Sequence, residues 1–237
     1  FLVSSPAYWE LNNMIVAIDG PAASGKSTTA IGVAKSLGIT YLDTGAMYRA
    51  VTLGLIENNI KFEDSLELKN YLIQIKLEFA EDKSGTLLFL NGSDVTKKIR
   101  TSLVTKNVSE VSALKIVRKF MVDIQREIAK NYDCVLEGRD IGTVVFPNAD
   151  FKFFLVANEK SRAKRRFDDL SKSGLLDSIG LDDVLKDLNK RDYKDSTRRN
   201  SPLKKAYDAK TIDSTNLTIN EVIDKIVNII NKKRTLD

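Results

Sequence analysis

The octapeptide Gly20-Pro-Ala-Ala-Ser-Gly-Lys-Ser27 sits between two segments of different hydrophobic period, and that arrangement leaves few folds open. Before it, Met14–Ile18 is an uncharged apolar run, as expected of a strand buried on both faces of a parallel sheet. After it, Ala30, Val33, Ala34 and Leu37 recur at helical spacing, and Gly38 stands where a helix stop belongs. The octapeptide fits the pattern G-x-x-x-x-G-K-[ST], a phosphate-binding loop between a strand and a helix. Its glycines let the backbone wrap closely enough for N–H groups to face phosphate oxygens, and the positive end of the following helix adds to the same place. The backbone from Gly20 through Pro21, Ala22, Ala23, Ser24 and Gly25 to Lys26, Ser27 and Thr28 is therefore expected to cradle the phosphates of ATP. Lys26 supplies a point charge to the β- and γ-phosphates, and the Ser27 hydroxyl is the candidate Mg2+ ligand. No convincing second carboxylate for the metal is legible.

Further strand-like runs at Ile39–Leu42, Cys134–Leu136, Phe151–Ala157 and Thr211–Ile212 alternate with helical stretches, which predicts a parallel α/β sheet with right-handed crossovers. Thr218 and Glu221 form a capping-box pair ahead of Val222, Ile223, Ile226, Val227 and Ile230, so a last helix starts there. Two regions break the alternation. Ile73–Gly92 has a period of two around a polar turn with Gly85, the signature of an antiparallel hairpin. Glu159–Asn200 is dense in charge, with Arg162, Arg165, Arg166, Arg191, Arg198 and Arg199, and Leu181, Val184, Leu185 and Leu188 form a helical stripe. It reads as two helices joined by a loop near Ser173–Gly180.

With one cysteine and no histidine, neither an intramolecular disulfide nor a Cys/His zinc site is available. No apolar run reaches the roughly 18 residues that span a bilayer, so no membrane association is expected. Phe1–Asn13 lacks the basic start and long apolar centre of a signal peptide and reads as an upstream extension, non-native or disordered. A cytoplasmic enzyme is the expectation. The net charge of +5 suits either a nucleic acid or small phosphorylated ligands, and composition does not choose between them.

A phosphate loop does not name the reaction. Two segments match guanine-nucleotide switch motifs literally, Asn189-Lys-Arg-Asp192 and Asp82-Lys-Ser-Gly85, but the first lies in a helical run and the second in the hairpin turn. Both are read as coincidences, since such a motif counts only in its structural context. Transfer to a small acceptor requires a cover that keeps water from the phosphoryl group. The arginine-rich segment suits that role, because a guanidinium fork binds phosphate at two points. Two or three of its six arginines are expected to touch ligand.

Ile18-Asp-Gly-Pro-Ala-Ala-Ser-Gly-Lys-Ser27, Leu42-Asp-Thr-Gly-Ala-Met-Tyr-Arg49 and Gly138-Arg-Asp-Ile-Gly-Thr-Val-Val-Phe-Pro147 together resemble the hallmark blocks of bacterial cytidylate kinases, in the same order. Ile99-Arg-Thr101, Arg191-Asp192 and Asp213-Ser-Thr215 agree with them, and the resemblance runs from Met14 onward. It implies a P-loop nucleoside monophosphate kinase fold: a parallel core sheet flanked by helices (14–70, 106–158 and 201–237), a small antiparallel CMP-binding β insert (71–105) and a helical lid (159–200). The implied reaction is ATP with CMP or dCMP, assisted by Mg2+, in a monomer that binds no nucleic acid. Carried over by position, Thr44, Arg49 and Arg139 line the acceptor phosphate, with Thr44 where some members have serine. Ser109, Arg118 and Asp140 surround the cytosine, Arg191, Asp195 and Arg198 the sugar and phosphates, and Arg166 approaches the transferring group. Lys26, Arg139 and Arg166 are the candidate catalytic residues.

The base-reading trio also makes chemical sense. A carboxylate accepts from cytosine's exocyclic amine, and a guanidinium or hydroxyl donates to the ring. An alternative role for Asp140 is a structural ion pair with Arg139. Ser109 and Arg118 are nine positions apart and would face opposite ways on an unbroken helix, so a break is expected near Ser112–Lys115 although no proline stands there. Two other functions remain open at this stage: a P-loop kinase for another small acceptor (UMP, AMP or a non-nucleotide), or a nucleotide-dependent nucleic-acid-binding protein.

Overall fold

A computed structural model describes residues 13–82, 85–172, 174 and 179–235. Residues 1–12 of the expected extension lie outside the described residues, while the Asn13 side-chain amide donates to Lys130 O at 2.6 Å beside the first strand. Five strands form a parallel sheet: β1 (Ile15–Asp19), β2 (Thr40–Asp43), β6 (Cys134–Gly138), β7 (Phe151–Val156) and β8 (Lys210–Asp213), in the order β2-β6-β1-β7-β8. Successive residues of β1 serve opposite faces. Ile15 and Ala17 join one core with Leu42, Cys134 and Leu136, whereas Val16 and Ile18 join another with Val135, Phe153 and Ile212. A strand covered on both sides has no polar face, which is why Met14–Ile18 carries no charge.

The second core is closed by α1 (Lys26–Leu37) and α8 (Ile219–Arg234). Helix α1 ends at Gly38, whose left-handed backbone (φ 67°) lets the chain leave the helix, and α8 opens on the expected Thr218/Glu221 capping box. The first core is closed by α2 (Thr44–Glu57), α3 (Leu66–Gln74), α4 (Ser102–Val111) and α5 (Lys115–Ala129). A small antiparallel sheet of β3 (Leu77–Asp82), β4 (Gly85–Leu90) and β5 (Ser93–Asp94) joins that same core through Leu88 and Leu90. The hairpin begins later than its alternation suggested. Ile73 and Gln74 finish α3, because Leu68 and Leu72 bury at helical spacing and Ser65 caps the helix by accepting from Leu68 N. Lys83 and Ser84 of the Asp82–Gly85 match lie outside the described residues.

The arginine-rich region folds as α6 (Glu159–Lys172) and α7 (Leu181–Thr197); Ser173 and residues 175–178 between them lie outside the described residues. These two helices share a separate apolar cluster of Ala163, Val184 and Leu188. Among the described residues no helix is long and apolar enough to cross a membrane.

Candidate active site

The carboxyl ends of β1, β2 and β6 face one cleft of about 540 Å³, the position where open α/β sheets bind ligands. Its floor is the loop after β1. Gly20 (φ +151°) is required there because a Cβ would stand 2.1 Å from Leu155 O of β7. Ala23 (φ 56°) and Gly25 (φ 92°) also take left-handed backbone, which curls the loop over the start of α1. Ala22 through Thr28 line the cleft, whereas Gly20 and Pro21 stand behind it. Pro21 contributes its carbonyl oxygen, which accepts from Lys26 Nζ at 2.6 Å.

Ser27 Oγ donates to Glu137 Oε1 at 2.5 Å, and Tyr41 Oη donates to the same oxygen at 3.3 Å. Burial, with Asp43 adding to it, pushes the Glu137 carboxyl up, against the pull of Lys26 and Ser27. Glu137 places a buried carboxylate beside Ser27 that the sequence did not single out. Its signal was a lone charge at the end of the otherwise apolar β6, but only the β1–β6 pairing brings it to Ser27.

At the end of β2, the Asp43 side chain caps α2 by accepting from Ala46 N, and Thr44 Oγ1 donates to Glu137 O at 2.6 Å. One turn on, Arg49 donates from Nη1 to Ile99 O and Thr105 Oγ1, which fixes it against α4 and the turn before it. Arg100, absent from the expected set, lines the cleft mouth and pairs with Asp43 at 3.1 Å.

The chain breaks between Val111 and Lys115, as the nine-residue spacing required. Asp64, distant in sequence, does what a proline would have done: its carboxylate accepts from the backbone N–H of Lys115 and Ile116 and so starts α5 afresh. Ser109 and Arg118 consequently both line the cleft. Arg118 is 4% exposed, donates from Nη1 to Ser112 O, and forms an ion pair through Nη2 with Asp140 Oδ2. Its guanidinium also lies 5.3 Å from the centre of the Tyr48 ring, another cleft residue missing from the expected set.

Asp140 follows Arg139 in the turn after β6, yet the two do not pair. Arg139 Nε donates to Asp195 Oδ2 at 3.0 Å, and Asp140 pairs with Arg118 and, at 3.7 Å, with Arg198. The turn itself is held by Asp19, whose two carboxylate oxygens accept from Ile141 N (2.9 Å) and Gly142 N (2.8 Å). Burial pushes the Asp19 carboxyl up to about 6. Asp19 was legible only as the residue before the phosphate loop.

From α7, Arg191, Asp195 and Arg198 reach the cleft at spacings of four and three, one face of a helix and its exit. Arg166 of α6 lines it as well, with Arg165, so four of the six arginines do so and Arg162 and Arg199 do not. Arg165 was not among the expected site residues; it donates to Ser214 O and Oγ and, at 3.4 Å, to Ser24 O. Among the described residues, nine cations against five carboxylates line the cleft. Burial and then Arg139 hold Lys26 down at about 7, and burial and then Arg191 hold Arg49 down at about 9. Buried cations that depress one another are stabilised by a polyanion. The arrangement can therefore hold phosphorylated groups beside Lys26 and Arg139.

The sequence model for cytidylate kinase matches residues 16–232. The chain is 52% identical over 223 residues to the cytidylate kinase of Fusobacterium nucleatum, covering 94% of this chain and 98% of that protein. It is 49% identical to the Lactobacillus johnsonii cytidylate kinase (93% and 95% covered) and 45% identical to that of Halalkalibacterium halodurans (94% and 100%).

Proposed function

Because this chain belongs to the cytidylate kinase family, we propose that it transfers the γ-phosphate of ATP to CMP or dCMP, giving ADP and CDP or dCDP. The observation that carries this reading is one cleft lined by both the glycine-rich loop and the Ser109–Arg118–Asp140 group. ATP lies with its phosphates along Ala22–Thr28 and Lys26 against the β- and γ-phosphates. CMP lies with its base on Asp140, Arg118 and Ser109, its phosphate on Thr44, Arg49 and Arg139, and its sugar and phosphate flanked by Arg191, Asp195 and Arg198. An oxygen of the CMP phosphate attacks the γ-phosphorus while the bond to the β–γ bridging oxygen breaks, and ADP departs with that electron pair. Lys26, Arg139 and Arg166 neutralise the charge that spreads over the transferring group.

Mg2+ fits the residues present. A hydroxyl oxygen on Ser27 and a buried carboxylate oxygen on Glu137 stand 2.5 Å apart at the end of the loop, a hard-oxygen pair suited to that ion. Ser27 would hold it with Glu137 beside it, and when bound the ion supplies positive charge at the β- and γ-oxygens. The small sheet and its flanks (71–105) form the acceptor-binding insert on the core of 14–70, 106–158 and 201–237, and α6–α7 (159–200) form the lid.

Steady-state phosphorylation of CMP, dCMP, UMP, AMP and shikimate, side by side with ATP as donor, tests the assignment. CMP and dCMP are expected to be used best. Preference for any other acceptor overturns it.

A further inference from the structure

The Asn189–Asp192 match to a guanine-reading motif lies within α7, where it has no nucleotide-reading context, but Asp192 is not idle there. Its Oδ1 accepts from Ala22 N at 2.8 Å, and its Oδ2 pairs with Arg162 Nη1. The same Arg162 nitrogen donates to Ala22 O at 3.1 Å. One residue of the phosphate loop thus has both its N–H and its C=O taken by a salt-bridged pair, one partner from each helix. The pair is sheltered, with side chains 7% and 16% exposed. A second contact points the same way: Ala22 belongs to the apolar cluster of α6 and α7, with Ala163, Val184 and Leu188, and to neither core of the sheet. Ala22 also precedes Ala23, a non-glycine residue in left-handed backbone, a conformation that persists only where the surroundings enforce it.

We infer that Arg162 and Asp192 are positioning residues that set the shape of the phosphate loop through Ala22. Asp192 is the direct neighbour of Arg191. Arg191 and Asp195 line the cleft from the same helix, while the clasp itself contacts the loop. The pair touches no reacting atom. It acts by holding the loop's N–H groups in register with the phosphates, where small displacements cost rate steeply. This inference rests on the reading of the loop as the donor-phosphate site.

Backbone amide exchange over the loop, together with separate KM values for ATP and CMP, tests it on full-length Asp192→Ala, Asp192→Asn and Arg162→Lys. Losing a charge-assisted hydrogen bond in Asp192→Ala should speed exchange at Ala22 and raise KM for ATP, each by about tenfold or more. KM for CMP should stay within about twofold, the scale of an untouched site. Asp192→Asn, whose amide oxygen can still accept from Ala22 N, should recover much of the loss. Arg162→Lys, with no fork to span Ala22 O and Asp192, should be intermediate. Should Asp192→Ala not fold, the other two variants decide by the same ATP-against-CMP split. Unchanged exchange at Ala22, or equal rises in both KM values, overturns the clasp. If Lys26→Ala leaves kcat untouched, the donor-site reading itself fails, while the exchange result still judges the contact.

Discussion

Replacing Asp140 by alanine tests the proposed base-binding group through stability as well as catalysis. The carboxylate lies between two guanidinium groups, paired with Arg118 and 3.7 Å from Arg198. All three side chains are only 5–6% exposed, so solvent screening contributes little. Removing the shared carboxylate leaves Arg118 buried without its ion-pair partner, while Arg198 keeps Asp195 at 3.9 Å. Breaking a buried pair from one side costs about 3–5 kcal/mol, and the remaining Asp195 places this case near the lower figure. At roughly 2–4 °C per kcal/mol for a chain of this size, the midpoint should fall by about 6–12 °C. Thermal unfolding followed by far-UV circular dichroism measures it. Adding Arg118→Met to Asp140→Ala should return part of the loss, with a coupling of about 1–3 kcal/mol in the double-mutant cycle. A single variant within about 0.5 kcal/mol of the parent, as for an ordinary surface change, would refute a buried, mutually dependent pair. The same variant should lose CMP use far more than ATP binding, and equal loss of both would make Asp140 structural alone.

Lys26→Ala should lower kcat by about 100-fold or more with a smaller change in KM, because its charge counts most as the transferring group becomes more negative; an unchanged kcat would contradict this. The free protein holds the Lys26 ammonium down at about 7, through burial and then Arg139, against an ordinary value of 10.5. Its charge is therefore lost as pH rises through 7, and bound polyphosphate is expected to restore it. Calorimetry in buffers of different ionisation enthalpy should show proton uptake on ATP binding between pH 7 and 9, with affinity weakening over that range. By the same sign, the unfolded chain holds more protons than the folded one between about 7 and 10.5, so this group makes folding stability rise with pH there. Gly20→Ala forces a Cβ to within 2.1 Å of Leu155 O and should cost more than about 3 kcal/mol or abolish soluble expression, read by thermal unfolding.

The phosphate loop was legible because its chemistry is written in neighbouring residues. A fully buried strand, tightly placed glycines, a lysine and a hydroxyl at the head of a helix are all local, and local order survives in a linear string. The strand–helix alternation and the capping box at Thr218 were readable for the same reason. So was the break between α4 and α5, since Ser109 and Arg118 cannot meet on one unbroken helix. The hairpin's start was misjudged because Ile73 fits a period of two as well as the end of a helix, and only burial of Leu68 and Leu72 chose between them.

Partnerships across the chain were another matter. Asp64 starting α5, Glu137 meeting Ser27, Asp19 gripping the turn after Asp140, and Asp192 with Arg162 holding Ala22 each join residues 30 to 170 positions apart. A lone carboxylate in a sequence looks the same whether it is solvated, capping or paired. The sequence alone determined that a glycine-rich loop links a buried strand to a helix after β1 and that a parallel sheet carries that loop. Which carboxylate meets which cation was decided by tertiary structure, because burial makes each of those charges depend on the one partner that strand order and helix packing bring within reach.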